Sequence, residues 1–180
     1  MKQIDTPKLW LAFVVVICVA TLSSCGLNSP QVRVAMPLSQ FQYAHIAPTG
    51  GVHSSSSEAI GGYTLPYSNS VNPRDLIAGH LSKRGFVIVP EVSPRYAKET
   101  LIVNYGESNK RELLVGYALE VTIQFITADT NKLVAVATAE GLGSTEADDI
   151  REAIARAISA LFDTPKTDNN SIVSLEGTYY

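Results

Sequence analysis

The sequence predicts an α+β fold, a two-layer sandwich in which a mainly antiparallel sheet of about four to five strands carries two helices packed on one face. Three observations predict it. Two segments, ending at Gly85 and Pro165, carry apolar residues at helical spacing between start and stop signals. Several shorter segments alternate apolar and polar residues. The longest of these is followed by a turn and a second such run, which reads as an antiparallel hairpin.

In chain order, Phe41 to Ala47 is the first predicted strand, with Phe41, Tyr43 and His45 alternating against Gln42 and Ala44. Residues 49–70 hold Gly50-Gly51, Ser54 to Ser57, Gly61-Gly62 and Pro66, a composition that predicts a long Ser/Gly-rich loop. A loop of that length in a compact domain is functional or disordered. Asn72-Pro73 opens a helix, with Asn72 as cap, Pro73 at the first helical position and Asp75 where the helix dipole favours negative charge. Leu76, Ile77 and Leu81 form its apolar stripe, Lys83 and Arg84 fill its last turn, and Gly85 ends it. Phe86 to Val89 is a short strand stopped by Pro90.

Thr100 to Tyr105 is a further strand, with Leu101, Val103 and Tyr105 on one face, followed by a polar loop at 106–110. From Leu113 to Thr127, Tyr117, Leu119, Val121, Ile123 and Phe125 alternate with Ala118, Glu120, Thr122 and Gln124, which implies one buried and one wetter face. Asp129-Thr130-Asn131 turns the chain, and Lys132 to Glu140 returns. Ala135, Ala137 and Ala139 give that strand a small-residue face that a helix can approach closely. The last helix runs from Glu146 to Phe162, capped by Thr145, with Ile150, Ala153, Ile154, Ala157, Ile158 and Leu161 on one side. Residues 39–163 therefore form a single α+β domain, and 164–180 a polar tail expected to be loose.

The N-terminus has the three zones of an export signal. Lys2 and Lys8 supply positive charge, and Leu9 to Leu22 is an apolar run. That run is shorter than the roughly 20 residues needed to span a bilayer. Leu22-Ser23-Ser24-Cys25 matches the bacterial lipobox. The match implies a signal peptide at 1–24, cleavage between Ser24 and Cys25, and a diacylglycerol on the Cys25 thiol. Residues 25–38, broken by Asn28, Ser29 and Pro30, then read as a lipidated tether. Gly26 follows the cysteine where an aspartate would hold such a protein at the inner membrane, so the expected location is the outer membrane.

Charge and cysteine content narrow the function classes. The chain carries a formal charge of -3, and losing Lys2, Lys8 and Asp5 with the signal takes it to -4. An acidic domain with no basic stripe is not a nucleic-acid binder, because such binding rests on neutralising phosphates. Cys18 leaves with the signal and Cys25 is consumed by lipid, so no disulfide supports the fold.

No catalytic, metal or cofactor signature emerges. Gly141-Leu142-Gly143-Ser144-Thr145 precedes a helix, but Glu146, Asp148 and Asp149 crowd the same turn and would repel a phosphate. The expected reading is a tight turn before a capped helix. The acidic trio lacks the alternating spacing of a calcium loop. His45, His53 and His80 are scattered without metal-ligand spacing. Ser54 to Ser57 lie in no nucleophile elbow. Tyr63 and Tyr67, in the 49–70 segment, are the candidate ligand or partner contacts, and Tyr179-Tyr180 end the chain.

The segments LIAGHLSKRGFVIV, TLIVNY, VTIQFITADTNKLV and DDIREAIARAISALF resemble those of small uncharacterised lipoproteins of Gram-negative, Bacteroides-type bacteria, over roughly Phe41 to Phe162. The resemblance implies an envelope location and an α/β sandwich, and brings no catalytic residues. The expected function is that of a non-enzymatic membrane-anchored lipoprotein, its domain in the periplasm or at the cell surface, binding or scaffolding another envelope component. The alternatives are a glycan or small-molecule binder with a pocket under the 49–70 loop and, lower, a hydrolase.

Overall fold

The computed structural model describes residues 26–60, 63–113 and 116–163, with backbone alone for 55–60 and 63–68. The expected signal peptide, Cys25 and the 164–180 tail lie outside the described residues. The elements are β1 (Gln31–Val34), β2 (Tyr43–Ile46), β3 (Val52–Ile60), β4 (Tyr63–Val71), α1 (Pro73–Ser82), β5 (Val87–Ile88), β6 (Thr100–Glu112), β7 (Tyr117–Thr127), β8 (Leu133–Gly141) and α2 (Glu146–Phe162). Short 3-10 turns lie at Leu38–Gln40 and Pro94–Glu99. The class is α+β, with a six-stranded sheet in the order β1-β8-β7-β6-β2-β5 and a separate β3-β4 pair.

The sheet is larger and more mixed than the sequence predicts. β2 runs parallel to both β5 and β6, while β1, β6, β7 and β8 pair antiparallel to their neighbours on that side. β1 forms within the stretch expected as a tether. All four of its residues are exposed, so it leaves no periodic apolar signature; its register, Gln31 opposite Thr138 to Val34 opposite Ala135, is held by backbone pairing.

Residues 52–60 and 63–71 pair as the two antiparallel strands of a hairpin where a loop is expected. Its register runs from Val52 opposite Val71 to Ile60 opposite Tyr63. Backbone pairing does not require apolar alternation, so a serine run hides such a strand from a periodicity argument. The hairpin is fastened at its base: Val71 is buried, and the Ala147 N–H of α2 donates to Ser54 Oγ (3.0 Å).

Two other expectations are corrected. The buried face of β2 carries Ala44 and Ile46, not Tyr43 and His45; Phe41 precedes the strand and packs half-buried against the core. Tyr43 instead meets Tyr96 on the opposite side, ring centroids 5.0 Å apart. The polar stretch 106–110 continues β6 as far as Glu112, with a bulge between Glu107 and Asn109, and β7 begins at Tyr117. The extension is largely exposed, so its polarity reports solvent rather than the end of the strand.

The core lies between the sheet and the helices. Leu101, Val103, Leu119, Val121, Ile123 and Phe125 face Ile150, Ile154 and Ile158 of α2 and Ile77 and Leu81 of α1, all fully buried. Ala135, Ala137 and Ala139 of β8 are buried under α2, as their size predicts. The closest approach is at Gly141, where a Cβ would sit 1.9 Å from the Asp149 carbonyl oxygen. Asn72 caps α1 by accepting from the Arg74 N–H (3.0 Å), and Gly85 ends that segment at φ +91°. Thr145 caps α2 by accepting from the Asp148 N–H.

Candidate functional site: a clamp on the N-terminal segment

The residues singled out from sequence do not converge. Tyr63 and Tyr67 stand on β4, opposite Ile60 and Ser56; their side chains lie outside the described residues. Ser24 and Cys25 also lie outside. His45 is on β2, with Nδ1 3.4 Å from the Val89 carbonyl, His53 is on β3 and His80 on α1. Burial, aided by Arg84 and Lys83, lowers the His80 pKa. Among the described residues no group of three His, Cys, Asp or Glu side chains could hold a metal ion.

The acidic trio at the start of α2 is spent on structure. Glu146 accepts from Lys110 Nζ (2.9 Å). Asp148 Oδ1 accepts from Asn69 (2.6 Å) and Arg151 (2.7 Å), and its Oδ2 from the Thr145 hydroxyl. Asp149 Oδ1 accepts from the Gly143 N–H, and burial raises its pKa. A Cβ on Gly143 would lie 2.4 Å from Asp148 Cβ, so glycine is what allows the turn to fold onto the helix.

The densest polar constellation sits elsewhere, at the end of β8. Glu140 is 4 % exposed, and each carboxylate oxygen receives two donors. Oε1 accepts from Arg111 Nε (2.8 Å) and Asn28 Nδ2 (2.7 Å); Oε2 accepts from Arg111 Nη2 (2.7 Å) and the Asn28 N–H (2.8 Å). The fork of Arg111 matches the carboxylate plane, the geometry that makes such pairs strong. Arg111, and then the Asn28 N–H, outweigh burial and hold the Glu140 pKa down at about 2. A carboxylate so saturated is a poor proton acceptor. Its physical role is to fasten chain segments together.

Those segments are the beginning of the described chain and both layers of the domain. Arg111 belongs to β6 and also donates to the Gly26 carbonyl (3.3 Å). Arg156 of α2 donates to the Glu140 and Asn28 carbonyls, the latter at 2.8 Å. Asn28 is thus gripped by the sheet through its N–H and side chain, and by the helix through its carbonyl. β1 then pairs with β8 from Gln31 onward. The sequence placed Asn28 in a tether and Arg111 beside a polar loop. Only the pairing of β6 with β7 and of β7 with β8 brings them to Glu140.

Among the described residues, concavities open away from the clamp. A shallow one of about 170 Å³, lined by Asn104, Glu107, Ser108, Thr122 and Gln124 among others, opens on β6 and β7. An apolar one of about 500 Å³ lies at the far end of β1, between Val34, Met36 and Leu38 and the Leu161-Phe162 end of α2. Among the described residues no helix is long and apolar enough to cross a membrane.

No protein-family model matches the chain, and no curated protein matches it. Among solved structures the chain is similar to PelC dodecamers from Paraburkholderia phytofirmans. For a single-substitution variant in space group C2 the TM-score is 0.44 at 15 % identity, covering 73 % of this chain and 96 % of that one. For PelC in space group P6 the TM-score is 0.38 at 16 % identity, covering 73 % and 97 %.

Proposed function

We propose that this protein is a lipid-anchored, non-enzymatic component of a bacterial outer membrane, whose domain binds or scaffolds another envelope component. The observation that supports this reading is the clamp. The residue immediately after the lipobox cysteine, Gly26, is already hydrogen-bonded to the domain, and Asn28 is held by three of its polar groups. An N-terminus fixed to both layers can transmit the position of an attached lipid to the domain. A loosely tethered one cannot. More than one acyl chain is needed for stable anchoring, because each buried methylene contributes only about 0.8 kcal/mol; a diacylglycerol on Cys25 meets that need.

The partner surface in this reading is the wetter face of β6 and β7, which the helices leave uncovered and which carries Asn104, Thr122 and Gln124. Mass spectrometry of protein taken from native membranes tests the anchor. The expected product begins at Cys25 and carries the mass of lipid on that residue. A chain beginning at Met1, or an unmodified thiol at 25, overturns the proposal. Crosslinking in intact cells tests the second half: a reproducible envelope partner supports it, and recovery of the protein alone at every crosslinker length counts against it.

A further inference from the structure

We infer that the free edge of β1 accepts an extended segment of a partner protein, added antiparallel as a further strand in which an acidic residue stands between two apolar ones. The inference goes beyond the anchor reading and does not depend on it. It concerns a surface other than the wetter face of β6 and β7.

The edge is open. β1 ends one side of the six-stranded sheet and pairs there with β8 alone. In an antiparallel ladder, alternate residues turn both backbone groups toward the neighbouring strand. The Ala35 N–H donates to the Val134 carbonyl, and the register sets Arg33 opposite Val136. Gln31, Arg33 and Ala35 therefore face β8, while Val32 and Val34 direct their N–H and C=O groups away from the sheet. Among the described residues nothing pairs with those groups.

The two faces of the edge differ. Val32 and Val34 lie opposite Ala137 and Ala135, on the side that carries α2, and are 39 % and 52 % exposed. Val34 borders the apolar hollow of about 500 Å³, which Leu161 and Phe162 also line. Edge contacts with Phe86 and Phe125, at 5.9 and 6.4 Å between centroids, fix Phe162, so the hollow is preformed. On the other face, Arg33 has no carboxylate partner among the described residues. The neighbouring strands place Val136, Gln124 and Asn104 in its row, all uncharged.

These features prescribe the incoming strand. Its residues opposite Val32 and Val34 share their face, and the residue between them shares the face of Arg33. Apolar side chains at the first two positions cover the valines, and the one beside Val34 reaches the hollow. An aspartate or glutamate between them pairs with Arg33. Main-chain bonds supply affinity, and the alternating side chains select the partner.

A second copy of β1 fits poorly. Copies related by a two-fold axis would pair these strands antiparallel, and no register that joins the valines is free of a fault. Val32 opposite Val34 sets Arg33 against its own copy, and like charges directly opposite are destabilising. Val32 opposite Val32 puts Val34 across from Pro30, which has no N–H. Val34 opposite Val34 calls on Met36, whose N–H already donates to the Val134 carbonyl. A charge on a sheet edge blunts self-pairing, yet it attracts a strand of opposite charge.

Fluorescence anisotropy tests the inference, with the full chain and a labelled peptide, acetyl-Ser-Thr-Leu-Glu-Ile-Thr-Ser-amide. The expected result is saturable binding that slows amide exchange at Val32 and Val34. Replacing the peptide's Glu by Lys, or Arg33→Glu in the protein, should each weaken binding about fivefold, the upper end for one exposed charge pair. The two changes together should restore it. Arg33 is exposed, so its replacement leaves the fold intact. N-methylation of the peptide's Leu and Ile amides keeps charge and apolar surface, and should weaken binding by about tenfold through lost main-chain bonds. No binding, or binding indifferent to the charge exchange and to N-methylation, overturns the inference. So does sedimentation showing that the chain dimerises through β1, or slow exchange at Val32 and Val34 before peptide is added, since either means that the edge is already taken.

Discussion

Arg111 and Asn28 share one carboxylate, each donating to both oxygens of Glu140. Removing that carboxylate charge would leave two sets of donors competing for a neutral amide. Glu140→Gln replaces two acceptors by one acceptor and one donor, which faces donors on both sides. Since Arg111 is partly exposed, the expected cost is about 2 kcal/mol, below that of breaking a fully buried pair. Chemical denaturation of wild type and variant measures it, and an unchanged midpoint would mean that the clamp contributes nothing net.

The same substitution should act locally before it acts globally. β1 is short, exposed and joined to the sheet only along β8, so the clamp supplies much of what holds it. Amide exchange at residues 28–34 should accelerate in Glu140→Gln, while β7 amides, in the middle of the sheet, keep their protection. Equal acceleration in both would mean that the N-terminal segment is part of the core and not a separable strap.

Acid should release the clamp. The folded Glu140 pKa, about 2, lies below the unfolded value of 4.5. Its contribution to stability is therefore complete above pH 4.5 and is lost as pH falls toward 2. Asp149 has the opposite sign: its raised pKa favours the folded protein at low pH and opposes it as the carboxyl ionises. Denaturation midpoints followed from pH 6 to pH 2 should fall in wild type and fall less steeply in Glu140→Gln. Parallel curves for the two proteins would exclude Glu140 as the source of the acid sensitivity.

The hairpin of β3 and β4 is bound to the start of α2 through Ser54, and through Asn69, whose amide donates to Asp148 while its oxygen accepts from Arg151. Asn69→Ala removes the link to Asp148 yet leaves the Arg151–Asp148 ion pair in place. The expected cost is about 1 kcal/mol, typical of a lost side-chain hydrogen bond. Limited proteolysis within 55–68 should quicken, with the melting of the core little changed. Cleavage at the wild-type rate would show that Asn69 does not hold the hairpin.

How far these features could be read from the sequence depends on what each leaves in the pattern of side chains. Helix α2 was legible to the residue, because Thr145 caps it and Ile150, Ile154 and Ile158 mark its buried side. β7 was legible because Val121, Ile123 and Phe125 alternate with wetter residues. β1 and β3 were not, since a strand held by backbone pairing and made of exposed or serine residues has no apolar period. The face of β2 is set by its neighbours: Ala44 and Ile46 belong to the core, while Tyr43 meets Tyr96 from the 94–99 turn, a partner that the alternation of β2 alone does not reveal. The clamp was illegible for another reason. Asn28, Arg111, Glu140 and Arg156 are ordinary polar residues in sequence, and only the strand order makes them neighbours.

The small residues of β8 offer the sharpest test of the packing. A methyl group on Gly141 would lie 1.9 Å from the Asp149 carbonyl oxygen and 2.7 Å from the Ala153 nitrogen, both backbone atoms of α2. Neither can swing aside as a side-chain tip would, so the helix must move off the sheet and strain its contacts at Ala139 and Ala153. Gly141→Ala should therefore cost about 3 kcal/mol, the upper part of the range for overpacking. Gly79 is the matched control: it lies on the exposed side of α1 with nothing within 4 Å of its added methyl. Gly79→Ala should stabilise by up to about 1 kcal/mol, through helix propensity and a less free unfolded chain. Thermal melts of the two variants should move in opposite directions from wild type. If Gly141→Ala melts at the wild-type temperature, α2 does not contact β8 backbone to backbone, and the alanine stripe has another cause.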